Sequence, residues 1–356
     1  MASMNIPQQT QYTTFSRSRE IRDRHIAADG FDDLLCSDYV QLDRRPFCAR
    51  WTAVNLPGST VRFGREDVAA LRRIRSPRDS WLFFIPLNVP VGMRWDGRVI
   101  SSESLVVCPP SSVSLVFHPD RIDFAIVSAA VGAAPDLTAP ISDLLTSLSA
   151  RIIVPPPDDA QALTSELTTL RTTAEFFPDT VTLHVIHRIG LHLHERLRRC
   201  LLGGTIGSRD REAGQSLGDI VQRAEDFFRK HLGEAVSISE LATVAGVSEP
   251  RLRKAFHQVC MTSPKKYLRL WRLQQVRRSL HAAPHIHGAV TIAATQYGFT
   301  ELGRFAAEYR TLFGEVPSQT IHRARRDPAV AQMSDQGGWS TRVVDAPRSR
   351  VDRSPR

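Results

Sequence analysis

The feature that most constrains this chain is a pattern that occurs twice near its C-terminal end. The first copy reads Gly246-Val247-Ser248-Glu249-Pro250-Arg251-Leu252-Arg253-Lys254-Ala255-Phe256, and the second reads Gly298-Phe299-Thr300-Glu301-Leu302-Gly303-Arg304-Phe305-Ala306-Ala307-Glu308-Tyr309. Each copy comes after a short apolar helical segment. Each turns at a Gly, places an apolar residue after it, and opens a second helix at a hydroxyl N-cap, Ser248 or Thr300. That is the grammar of a helix-turn-helix, whose second helix enters the DNA major groove. Two copies in one chain make DNA reading the expectation for the whole molecule.

The charge distribution points the same way. Between Pro250 and Arg326 stand fourteen Lys/Arg and three acids (Glu301, Glu308, Glu315), an excess of eleven, while the full chain of 356 residues carries +9. All net basicity therefore lies over the repeated motif, as a phosphate-binding face requires. The alternative is a merely solvated Arg-rich surface. The five cysteines, Cys36, Cys48, Cys108, Cys200 and Cys260, form no closely spaced pair, so neither a structural zinc site nor a disulfide framework is signalled. Reduced thiols fit a cytoplasmic setting. The first thirty residues lack an apolar signal core, and no apolar run is long enough for a membrane span.

From about 31 to 131 the chain shows short β-branched and aromatic runs broken by Pro and Gly, such as Trp81-Leu82-Phe83-Phe84-Ile85-Pro86 and Ile122-Asp123-Phe124-Ala125-Ile126-Val127. These predict a small antiparallel barrel or sandwich. Val68-Ala69-Ala70-Leu71 reads as a short helix. From about 137 the period becomes helical. Leu137, Ile141, Leu144, Leu145 and Leu148 share one face, as do Leu163, Leu167 and Leu170, and then Ile186, Ile189, Leu193 and Leu197. These faces either pack on the barrel or form a dimer interface. The Gly-rich stretch after Gly203 reads as a flexible linker that tethers the C-terminal part without fixing its orientation.

Beyond the linker, Leu217, Ile220, Val221, Ala224, Phe227 and Phe228 line one helix, and Ser237 with Glu240 forms a capping box for the next. Gly246 suits a positive φ. Ser263-Pro264 opens a long helix carrying Tyr267, Leu270, Leu273, Val276 and Leu280, which should link the two units.

Here the chain resembles the AraC/XylS family of bacterial transcription regulators, over about 217–326. The resemblance rests on Ile238-Ser239-Glu240-Leu241-Ala242, Ala245-Gly246-Val247-Ser248, Ser263-Pro264-Lys265-Lys266-Tyr267-Leu268, Arg272-Leu273 with Val276-Arg277, and Tyr297-Gly298-Phe299-Thr300 leading to Phe313-Gly314 and Pro317-Ser318. The N-terminal half resembles the cupin-like effector-binding domain of that family. The resemblance implies a cupin-like β-barrel with appended helices (31–202) and an all-α DNA-binding domain of seven helices with two helix-turn-helix units (217–326); with the polar, disordered-reading ends (1–30 and 327–356) and the Gly-rich linker (203–216), the chain reads as an α+β multidomain protein. It further implies an activator that binds promoter DNA, works with RNA polymerase, is often a homodimer, and is often controlled by a small organic effector.

Carried over residue by residue, the family's first reading helix places Pro250, Arg253 and Lys254 toward bases; Arg251 and His257 lie nearby to hold the DNA backbone, Ser248 caps the helix, and Leu252 and Phe256 turn inward. Arg and Lys suit guanine O6/N7 or phosphate. The second unit departs from the pattern. Its reading positions fall on Leu302, Gly303, Ala306 and Ala307, none of which makes a bidentate base contact, while Arg304 and Thr300 suit phosphates. The second unit is therefore expected to read weakly or by shape. In the barrel, Trp51, Trp81, Phe83, Trp95 and His118 are the candidate effector contacts, and the alternative is that the Trp residues fill a closed core. No cofactor, catalytic group or metal site is expected. His184, His187 and His194 share one side of a helix, for which surface packing outweighs a metal site, and His118 stands alone where a catalytic cupin needs several ligands. An enzyme fused to the DNA module, of the DNA-repair alkyl-acceptor kind, would need a Cys cluster that the scattered cysteines do not form.

Overall fold

The computed structural model describes residues 16–21, 38–45, 47–132, 137, 150–177, 182–206 and 216–326. All but Leu137 of the helix expected over 137–148, most of the 203–216 linker, most of 1–30 and the whole of 327–356 lie outside these residues, although within the first segment Ser16–Ile21 forms a strand.

The N-terminal part consists of two antiparallel sheets. The eight-stranded sheet has the order β1 (Ser16–Ile21), β3 (Ala49–Leu56), β4 (Ser59–Glu66), β11 (Ile122–Ala130), β6 (Ser80–Asn88), β9 (Leu105–Cys108), β12 (Arg151–Val154) and β13 (Thr205–Ile206). The five-stranded sheet has the order β2 (Asp38–Gln41), β5 (Ala70–Arg75), β10 (Val113–His118), β7 (Arg94–Trp95) and β8 (Arg98–Val99). The segment read as a short helix at Val68–Leu71 instead leads into β5. Its backbone pairs with β2 and β10 in registers such as Leu71↔Phe117 and Arg73↔Leu115, so sheet pairing overrides the local Ala-rich propensity.

Strands buried on both faces explain the near-continuous apolar runs. Along β6, Leu82 and Phe84 point between the sheets, joining Trp51, Met93, Trp95, Val116, Phe124 and Ile126. The alternate residues Trp81, Phe83 and Ile85 point outward against α1 (Pro157–Phe176) and α2 (Leu183–Gly203), which bring Leu163, Leu167, Leu170, Ile186, Leu193 and Leu197. The helical faces expected to pack on the sheet or to form a dimer contact are thus spent largely on the sheet.

Among the described residues seven helices come after them: α3 (Leu217–Lys230), α4 (Ile238–Ala245), α5 (Glu249–Cys260), α6 (Pro264–Ala282), α7 (Ala289–Gln296), α8 (Leu302–Phe313) and α9 (Pro317–Arg326). Helices α3–α5 and the first half of α6 make one core with Ile220, Val221, Phe228, Leu241, Leu252, Phe256, Val259, Tyr267 and Trp271. That core also takes in Val40, Leu71, Leu115 and Phe117 from the outer face of the five-stranded sheet. The second half of α6 with α7–α9 makes a separate core around Leu273, Val276, Leu280, Phe299, Phe305 and Tyr309. The layers therefore run helices, sheet, sheet, first helix-turn-helix unit, with the second unit carried on α6. The first unit is packed on the sheet, rather than hung from a linker with its orientation free.

Candidate nucleic-acid interface

Both turns are built by the same local chemistry. Ser237 caps α4: its Oγ accepts from Glu240 N at 3.1 Å, and Glu240 Oε2 accepts from Ser237 N at 2.7 Å. The Ser237 N–H and hydroxyl, both donating to Oε2, hold the Glu240 carboxyl below its ordinary range. The helix ends at Gly246 with φ +68°, where Gly246 N donates to Thr243 O and Val247 N to Ala242 O, both at 3.0 Å. The second unit repeats the arrangement: Gly298 has φ +78°, its N donates to Thr295 O at 3.0 Å, and Phe299 N donates to Ala294 O at 2.9 Å. This is the hydrogen-bond pattern that closes a helix through a left-handed residue, where a Cβ is strained.

Helix α5 then leaves the turn with two unlike faces. Leu252, Ala255, Phe256, Val259 and Cys260 are buried, whereas Pro250, Arg251, Arg253, Lys254 and His257 are exposed. Ser248 has N-cap backbone geometry without a side-chain cap bond. Arg253 Nη2 lies 3.0 Å from Glu249 Oε2 on the same exposed face, a pair worth only about 0.3–0.5 kcal/mol and so readily exchanged for a base or phosphate.

Helix α8 buries Phe305, Tyr309 and Leu312. It exposes Leu302, Gly303, Arg304 and Ala307, with Ala306 half-buried. Thr300 is exposed but is not the cap: the helix begins at Leu302, and Glu301 occupies the N-cap position without a side-chain bond. Here three residues separate the turn Gly from the helix start, against two in the first unit, so the hydroxyl falls one place early. Arg304 Nε lies 3.2 Å from Glu308 Oε1, which also accepts from Arg269 Nη2 of α6 at 2.7 Å. Arg269, foremost, holds the Glu308 carboxyl below its ordinary range.

Several of the clustered cations are internal ties rather than free charge. Arg272 stacks over Phe228 at 5.0 Å and donates to Glu234 O at 2.6 Å, Arg277 stacks over Phe313 at 4.5 Å, and Arg325 donates to Pro284 O at 2.8 Å. Sequence reasoning missed these ties because a guanidinium reads alike whether it faces water or a ring. Lys265 and Lys266 remain exposed beside the capped start of α6.

Between the two sheets lies a narrow cavity lined by Trp51, Arg72, Ile74, Phe84, Met93, Val116, His118, Ile122, Phe124 and Ile126, with open space for about one water. Trp51 and His118 are thus at the cavity, and Trp95 lies behind it, tilted against Phe84 with ring centres 5.0 Å apart. Trp81 and Phe83 lie on the opposite face of the sheet, under α1 and α2. The polar centre is a pair that sequence reasoning did not find, Arg72 with Glu66, buried to 5% and 0% exposure. The Arg72 guanidinium stands over Tyr39, Trp51 and Phe124 at 5.6–5.8 Å. His118 Nε2 lies 3.8 Å from Glu66 Oε2, and its Nδ1 is 3.0 Å from Asp120 O. On α2, His184 and His187 are exposed, and His194 Nε2 bonds Ser59 Oγ at 2.9 Å. Among the described residues no cluster of His, Cys, Asp or Glu is arranged to hold a metal, and no helix is long and apolar enough to cross a membrane.

Comparison with known proteins matches residues 241–323 to a helix-turn-helix domain family. The chain is 34% identical over 108 residues to the XylDLEGF operon transcriptional activator of Pseudomonas putida, covering 30% of this chain and 34% of that one. It is 28% identical over 151 residues to the probable thc operon regulatory protein of Rhodococcus erythropolis, covering 40% and 44%. A solved structure, a probable AraC family transcriptional regulator from Rhodopseudomonas palustris, is 34% identical over 30% of this chain and 97% of that chain, with a TM-score of 0.27. The chain thus spans between a third and a half of the length of these two curated relatives.

Proposed function

The chain belongs, through the paired helix-turn-helix units of its C-terminal third, to the AraC/XylS family of DNA-binding transcription regulators, and from that premise we propose that it is a sequence-specific activator responding to a small organic effector. Its relatives are regulators and not enzymes. The observation that carries the proposal is the two-faced α5, whose Arg251, Arg253, Lys254 and His257 stand exposed over a fully buried opposite side. Arg253 and Lys254 read bases, while Ser248, Arg251 and His257 hold the backbone beside Pro250. In the second unit Leu302, Gly303, Ala306 and Ala307 offer only small or apolar contact, such as to thymine methyls, while Arg304 and Thr300 meet phosphates. That unit contributes affinity and shape recognition more than base identity.

The experiment is selection of duplexes from a random pool with the full chain. It should return one sharply defined half and one degenerate half. Arg253→Ala and Lys254→Ala should each lose about 1–3 kcal/mol of discrimination. Two equally sharp halves would refute this division of labour.

The effector enters between the sheets at this cavity, which must widen to admit it, with Trp51 and His118 among its contacts and Arg72 at its polar end. Its binding should raise the melting temperature of the full chain, stabilising by RT ln(1 + [L]/Kd). A second reading is favoured by the narrowness of the cavity: the aromatic residues close the core, and the N-terminal part only dimerises. Leu191 and Leu202, exposed on the outer side of α2, support a homodimer contact there. Identical promoter output with and without every metabolite of the controlled pathway would select this second reading.

A further inference from the structure

One buried carboxylate joins three parts of the molecule. Glu225 of α3 is 1% exposed. Its Oε2 accepts from Arg73 Nη1 of strand β5 at 3.0 Å, and its Oε1 accepts from the Tyr267 hydroxyl of α6. The second arm of Arg73 reaches Asp226 Oδ1 at 2.7 Å. Arg73 itself is 6% exposed and belongs to the N-terminal sheet, far along the chain from the helices it holds. Nearby, Gln222 Nε2 donates to Val113 O at 2.9 Å, and Val259 on the inner side of α5 packs so closely on Gly97 that a Cβ there would come within 3.1 Å of it.

Helix α5 is backed by the sheet on the side opposite Arg251, Arg253 and Lys254. Helix α6 places Tyr267, Leu268 and Trp271 in the first core and Leu273, Val276 and Leu280 in the second, so it is the strut between the reading helices. Whatever fixes α6 against α3 and the sheet fixes the placement of α8 relative to α5.

We propose that Arg73, acting through Glu225 and Tyr267, is a positioning residue for DNA reading: from the N-terminal sheet it locks α3 to the strut helix and so sets the relative placement of the two reading helices. It touches no DNA. The arrangement also gives the cavity a short route to the interface, because β5 presents Arg72 and Ile74 to the cavity and Leu71 and Arg73 to the helices. The proposal rests on the DNA-reading function above. Two units held at the right spacing bind as one ligand of high effective concentration, and that advantage falls when the spacing is no longer held.

The test uses the full chain and duplexes obtained by random-pool selection, in a full-length form and in a form truncated to the half bound by the first unit. Failure of the wild type to select any sequence would sink the DNA-reading function itself, not this inference. Given a selected site, Arg73→Ala and Tyr267→Phe should leave half-site affinity unchanged and lower the full-site over half-site advantage at least tenfold. Arg73→Lys, which keeps a charge and one bond, should fall between. Arg65→Ala, which breaks an ion pair with Asp123 on the other sheet, should behave as wild type. An unchanged full-to-half ratio in the folded variants, or a parallel loss on both duplexes, would overturn the proposal in favour of a purely structural tie. Should Arg73→Ala fail to fold, Tyr267→Phe, which keeps the ring in the core, decides by the same ratio.

Discussion

Leu115→Ala distinguishes a DNA module that shares a core with the sheet from one that is merely tethered to it. Leu115 lies on the outer face of β10, 1% exposed, in the core formed with α3, α5 and α6. The substitution removes three carbons, about 2.4 kcal/mol at roughly 0.8 kcal/mol for each buried methylene. The cavity left behind adds to this, for a total of about 3–4 kcal/mol. Were the module free of the sheet, the same side chain would face solvent and its loss would cost less than about 0.5 kcal/mol. The backbone N–H of Leu115, which donates to Asp96 Oδ1 at 2.7 Å, is kept in either case. Urea unfolding of the full chain, tracked by sheet and helix signals in far-ultraviolet circular dichroism and by tryptophan fluorescence, is the assay. The expected result is a lower midpoint in the transition shared by both parts. A change below about 0.5 kcal/mol, or a shift confined to a separate sheet transition, would refute the shared core.

Asp96 gives a pH test. Burial, as the largest effect, raises its carboxyl to about 6 despite the Leu115 N–H and Arg98. A folded value above the unfolded one means that stability is present in full below about 4 and lost as pH rises through 6, so Asp96→Asn should stabilise the chain at pH 7 by about 1–3 kcal/mol and flatten its melting profile between pH 4 and 6; an unchanged profile would contradict the assignment. Gly246→Ala meets the strained φ of +68° and should cost about 1 kcal/mol in thermal melts of the full chain, with no loss counting against the left-handed turn. Binding of the full chain to random duplex should weaken as salt rises, with log K falling by about 0.9 per phosphate neutralised against log salt. A flat response would be incompatible with the exposed face of Arg251, Arg253, Lys254, Lys265 and Lys266.

Much of the helical module was legible because its signals are local. A Gly at a left-handed turn, a Ser three residues ahead of a Glu, and an apolar period along Leu163, Leu167 and Leu170 each act within a few residues, and each appears where the pattern puts it. The misreadings arise where partners are remote. Val68–Leu71 reads as helix locally, but strands from both sides claim it for β5. Ser216 and Asp219 form a capping box for α3 that the Gly-rich flank concealed. Trp81 and Phe83 could not be told from Trp51 and Phe84, because alternation separates two faces of a strand without saying which one meets the second sheet when both are buried.

The two helix-turn-helix units, the concentration of positive charge over them and the β-rich half that precedes them are written in the sequence, since periodicity, turn chemistry and charge are properties of neighbouring residues. Tertiary packing alone sorts the Arg residues that face solvent from those tied inside: Arg253 faces outward beside Glu249, Arg72 lies between the sheets with Glu66, and Arg73 crosses from a strand to a carboxylate on a helix. It also decided that the first unit is built onto the sheet, because the apolar face of Leu71, Leu115 and Phe117 finds its cover in helices distant along the chain, and no local pattern names the partner of a buried face.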